Sequence, residues 1–180
     1  MRISTSIARI DLPYPRFNPE DHFLPAHVLT RCHQHYEGFI SRHSIKVRRW
    51  RSGVGGKADM SRKMIWVPVI KHLGDFWVAM HEIGHILSEL PATWRPPPCE
   101  LIVHEYEADM FALSQCQALG LSTEYEHGAR RNVFKYVQRT HRQGIAWADL
   151  PQFVRTTICQ DWLGIQEQQW QATRIELLER

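Results

Sequence analysis

Asp75-Phe76-Trp77-Val78-Ala79-Met80-His81-Glu82-Ile83-Gly84-His85-Ile86-Leu87 is the stretch on which the reading of this chain turns. Phe76, Trp77, Val78, Met80, Ile83, Ile86 and Leu87 surround its polar centre on most sides, the mark of a central helix rather than a surface one. Asp75 stands as its N-terminal cap, and the helix should run to about Leu90 before Pro91 stops it. Within it, His81-Glu82-Ile83-Gly84-His85 has the pattern HExxH. Residues four apart on a helix lie on one face, so His81 and His85 can reach a single ion. Glu82 sits beside them, placed to take a proton from a water that a metal ion acidifies.

A zinc site of this kind needs a third protein ligand and one open position. The next predicted helix, about Glu100 to Ala118, carries His104-Glu105-Tyr106-Glu107-Ala108-Asp109-Met110-Phe111-Ala112. Glu105 and Asp109 share a face, so Glu105 can ligate while Asp109 receives a ring N–H from one histidine and fixes its tautomer. Ala108 and Ala112 are small, as a close approach of two helices requires. Glu107 reads as solvated, and His104 as turned about 100° from Glu105. The metzincin pattern is excluded, because Ser88 and Pro91 occupy the positions of its glycine and third histidine.

Outward from this pair the chain changes character. Residues 1–22, with Pro13, Pro15 and Pro19, read as an extended N-terminal arm. From Phe23 to His43, apolar Val28, Leu29, Cys32, Tyr36, Phe39 and Ile40 recur at helical steps. Residues 45–50 alternate apolar and basic, 57–60 form a short run, and 64–70 read as a more buried strand, together a small antiparallel sheet. Downstream, helices are expected over about 122–142, 149–163 and 166–178. The fold class is therefore α+β, with a core domain over 23–142 and a helical extension over 143–180 packed on it.

Composition sets the outer limits. The 180 residues are 43% hydrophobic and 23% charged, with a net charge of +3, ordinary for a soluble globular chain. Eleven histidines and seven tryptophans stand out. Cys32, Cys99, Cys116 and Cys159 include no CxxC pair, which argues against a cysteine zinc knuckle and for free thiols in a reducing cytoplasm. No stretch reads as a signal peptide or a membrane span, so a cytoplasmic location without membrane contact is expected.

HEIGH followed some twenty residues later by E-x-E-A-D-x-F-A resembles the ImmA/IrrE-type metallopeptidases, gluzincins of bacteria, phages and integrative elements that cleave transcriptional repressors. The likeness covers roughly residues 24–178 and implies a minimal zincin-like domain. It implies Zn²⁺ held by His81, His85 and Glu105, with Glu82 as the catalytic base. Residues 153–170, with Gly164 in the turn, are similar to the helix-turn-helix-like element often found after the zinc motifs of that family. Cys159 and Gln166 depart from its usual small residue and serine cap, and the segment has few basic residues. A helical hairpin packed on the core is favoured there over a DNA reader.

Two further features bear on function. The basic run Arg42, Lys46, Arg48, Arg49 and Arg51 reads as the solvated face of a strand more readily than as a nucleic-acid or acidic-peptide site. Residues 64–70 are the nearest candidate for an edge strand that takes a substrate by strand addition. Tyr125, His127, Tyr136 and His141 are candidates to stabilise an oxyanion, with none singled out. The expected function is limited zinc-dependent proteolysis of a protein such as a transcriptional repressor. The alternative is a non-catalytic zinc-binding regulator that binds a repressor or DNA. SprT- and WLM-type DNA-repair peptidases also carry HExxH but are less similar in the second motif.

Overall fold

The structure, a computed structural model, describes residues 23–50, 55–88, 97–121, 126–172 and 174–175. The expected N-terminal arm lies outside the described residues, as do Pro91 and Tyr125.

Helix α1 spans Ala26–His43, three residues inside the expected start. Leu24 precedes Pro25, and a residue before proline is held extended. The helix ends where Ser44 takes a left-handed conformation at φ 53° and returns its N–H to Ile40 and Ser41. Three short strands follow: β1 (Lys46–Arg49), β2 (Lys57–Asp59) and β3 (Met64–Val67). Their order is β1-β3-β2, with β1 parallel and β2 antiparallel to β3. The sheet is thus mixed, not antiparallel. A tight turn joins β2 to β3, where Asp59 Oδ1 accepts from Ser61 Oγ at 2.7 Å and the Arg62 N–H at 3.1 Å; this local closure dictates antiparallel pairing. The chain from β1 passes instead to the far edge, and that crossover leaves β1 parallel.

This order corrects a second expectation. Strand β3 is central, with Ile65 and Val67 buried, so it offers no free edge. It stops before Pro68, which has no N–H for the ladder. The edge strand that packs by helix α2 is β2.

Helix α2 spans Leu73–Leu87 and is capped by His72 rather than Asp75. Asp75 lies one turn in and reaches back, its Oδ2 accepting from His72 Nδ1 at 2.6 Å and from the Lys71 N–H at 3.0 Å. Helix α3 spans Pro98–Ala118, with Pro98 at its first turn, where a missing N–H costs nothing. Helix α4 (Glu126–Arg142) leads to a 3₁₀ turn (Trp147–Asp149), a π-helix (Val154–Leu163) and a single turn, α5 (Glu167–Trp170). Gly164, at φ 74°, closes the π-helix, a conformation that glycine adopts without steric cost.

Two apolar clusters result. The first joins Cys32 of α1, Ile65 and Val67 of β3, Phe76, Met80 and Ile83 of α2, and Ala112 and Cys116 of α3. The second joins Ile102 of α3 to Val133 and Val137 of α4, and to Val154, Ile158, Leu163, Ile165 and Trp170. The hairpin over 153–170 therefore spends its apolar face on the core. Helix α3 belongs to both clusters. The class is α+β, and among the described residues no helix is long and apolar enough to cross a membrane.

Candidate metal centre

The site begins with a backbone contact. A Cβ on Gly84 would lie 2.9 Å from Cα of Ala108 and 3.2 Å from its carbonyl oxygen. Only glycine at 84 facing a small residue at 108 lets α2 and α3 come this close. The approach sets His81 and His85 of α2 opposite Glu105 of α3.

The three side chains converge. His81 Nε2 lies 3.1 Å from His85 Nε2 and 3.5 Å from Glu105 Oε2, and His85 Nε2 lies 3.8 Å from Glu105 Oε1. A tetrahedral ion with ligand bonds near 2.05 Å has ligand–ligand edges of about 3.3 Å, a distance these three bracket. His81, His85 and Glu105 could hold a metal ion, each offering one ligand atom within 4.8 Å of the others. Their chemistry, two imidazoles and a carboxylate in a half-buried pocket, suits a divalent ion with borderline-soft preferences.

Around them lies a hydrogen-bonded frame. His81 Nδ1 donates to Asp109 Oδ1 at 2.6 Å, which leaves Nε2 for the ion. Asn132 of α4 donates from Nδ2 to Glu105 Oε2 at 2.9 Å and to Asp109 Oδ2 at 3.3 Å. Tyr136, one turn on, lies beside Glu105, and burial together with these carboxylates pushes its hydroxyl pKa up. Trp77, one turn before His81, packs on its ring with centroids 5.4 Å apart.

The charges follow from this frame. At His81 burial opposes the imidazolium, but Asp109 and Glu105 outweigh it and carry the pKa up to about 10. His85 is brought down to about 4 by burial and by the neighbouring His81 charge. Burial would raise Glu105, yet the two histidines and Asn132 hold it at about 2. Burial raises Glu82 to about 7. Its carboxyl lies against Gly56, the residue that leads into β2. A carboxylate with that pKa is matched to proton transfer near neutrality.

The other candidates are dispersed. His127 is exposed, and His141 is committed to the Trp170 carbonyl at 2.8 Å. Glu107 is exposed and accepts from Ser88 at 3.0 Å. His104 is buried and not part of the ligand group, though its charge bears on His85, and its Nε2 has no hydrogen-bond partner among the described residues. All of Lys46–Arg49 is exposed. Asn132 carries no motif. A signal exists only in hindsight: Asn132 and Tyr136 are four apart and flank the buried stripe Ala129, Val133 and Val137 on α4.

No family model matches the chain, and neither a curated protein nor a solved structure is significantly similar to it.

Proposed function

We propose that this chain is a zinc-dependent endopeptidase of the gluzincin type, with a zincin-like domain, that carries out limited proteolysis of a regulatory protein such as a transcriptional repressor in the cytoplasm. The observation that carries this reading is the convergence of His81, His85 and Glu105, the two imidazole nitrogens 3.1 Å apart and each within 3.8 Å of a Glu105 oxygen, beside a buried carboxylate at Glu82. A structural ion has no use for such a neighbour. The resemblance of HEIGH and E-x-E-A-D-x-F-A to the ImmA/IrrE-type peptidases supports the same assignment and supplies the repressor as substrate class.

Bound zinc supplies Lewis acidity, which polarises a carbonyl and acidifies water. The chain's own residues do the rest. Glu82 takes the proton from the attacking water and returns it to the leaving amine. Asp109 holds His81 in the tautomer that presents Nε2. Asn132 fixes the Glu105 carboxylate. Tyr136 brings a hydroxyl to the edge of the same group, from a direction set by α4. The edge strand β2, which Gly56 leads into beside Glu82 and which pairs with no second strand among the described residues, would align an extended substrate by strand addition.

The test is a pair of variants. Glu82→Gln should keep its zinc and lose cleavage of a co-expressed repressor, whereas Glu105→Ala should lose the zinc itself. Cleavage by Glu82→Gln at the wild-type rate would remove the base from the mechanism. A folded wild type without zinc would remove the metal centre.

A further inference from the structure

Gly56 and the Glu82 carboxyl share a space too small for a methyl group. A Cβ on Gly56 would fall 2.6 Å from both Cγ and Oε1 of Glu82, and 3.0 Å from its Cδ. Backbone conformation does not account for the glycine. Neighbouring Gly55 has φ 142°, but Gly56 is not in the positive-φ region that L side chains rarely adopt. Glu82 cannot simply swing clear. Its side chain is 6% exposed on a buried face of α2, and the overlap reaches Cγ, so rotating the carboxyl tip does not relieve it. The whole side chain would have to change rotamer.

We propose that Gly56 is a positioning residue for Glu82: its missing side chain lets the backbone entering β2 lie against the carboxyl and fixes where the base sits. This rests on the reading of Glu82 as the base. Because Gly56 leads directly into β2, the edge strand and the base are held in one register. A substrate paired with that edge would meet the carboxyl at a fixed height. A side chain at 56 would leave the three ligands in place and move only the base.

The contact is tested without metal or substrate by a double-mutant cycle in urea unfolding. Gly56→Ala should lower the unfolding midpoint of the wild type and leave that of Glu82→Ala unchanged, because the second variant removes every atom in the overlap. An equal loss in both backgrounds would overturn the proposal. Should Gly56→Ala alone fail to fold, a folded Gly56→Ala/Glu82→Ala protein would meet the expectation, and an unfolded one would overturn it. Positioning is then read with acetohydroxamic acid, a zinc-binding probe whose proton Glu82 would accept. In zinc-loaded protein, Gly56→Ala should keep its full zinc content and weaken the probe by about tenfold or more, since displacements near 1 Å cost rates and affinities on that scale. In Glu82→Ala it should weaken the probe no further. Unchanged affinity in the single variant would show that the base had not moved. A wild type that takes up no zinc would sink the metal reading, while the urea cycle would still decide whether Gly56 and Glu82 are coupled.

Discussion

His81 Nδ1 and Asp109 Oδ1 lie 2.6 Å apart, and Asp109 has no exposed surface. A carboxylate is acceptor only, so this bond keeps a proton on Nδ1, and when the ring gives up its second proton the lone pair is on Nε2. Removing it frees the ring to turn and leaves a buried N–H unpaired. Asp109→Ala should therefore bind zinc about 10- to 100-fold more weakly than wild type, the usual cost of losing such a partner. Competition with a chromophoric chelator measures this. Equal affinity would mean that Asp109 serves packing alone.

The crossing of α2 and α3 at Gly84 and Ala108 offers a second prediction. A methyl at 84 would meet backbone, 2.9 Å from Ala108 Cα, and backbone cannot step aside as a side chain tip can. Gly84→Ala should cost about 1–3 kcal/mol, the range for an overpacked core. It should also lower zinc affinity, because it pushes the histidine helix off the glutamate helix. Gly38→Ala on α1, with nothing within 4 Å of the new Cβ, is the control and should gain up to about 1 kcal/mol from helix propensity. Urea unfolding of both variants checks the contrast.

Acidity supplies the third. In metal-free protein the His81 pKa is raised from 6.5 to about 10. The folded state then keeps a proton that the unfolded chain releases, so the stabilisation is complete below pH 6.5 and is lost as pH climbs toward 10. Glu82, raised to about 7, is largely titrated only by about pH 8, and the buried thiols start from an ordinary value of 9.0. Between about pH 8 and 9, metal-free protein should thus lose stability steadily, and His81→Asn should flatten that slope. A wild-type slope unchanged in the variant would assign the proton elsewhere. Zinc uptake in the same window should release a proton, seen with a pH indicator in weak buffer.

Much of this site was legible because its ligands follow helical arithmetic. His81 and His85 are four apart on one helix, and Glu105 and Asp109 are four apart on the next. The small residues expected at the helix crossing do lie there, at Ala108. What escaped reading depends on distant parts of the chain. Asn132 reaches Glu105 across 27 positions of sequence, and no local pattern distinguishes it from other polar residues on an amphipathic helix. The sheet was misjudged for the same reason. Local alternation identifies a strand, but the direction of its neighbour depends on where the chain crosses, and here the run through Gly55 and Gly56 carries it past β3 to the far edge. Helix starts were shifted by prolines, Pro98 opening a helix and Pro25 delaying one.

Because α3 belongs to both apolar clusters, the order in which the chain is made matters. His81, His85 and Glu105 have all been synthesised before α4 exists, yet the amide that fixes Glu105 arrives with Asn132. The second cluster, which seats α4, needs Leu163, Ile165, Trp170 and Ile175, all later in sequence than the three candidate ligands. A chain under synthesis thus carries its three candidate ligands before the residues whose packing braces Glu105.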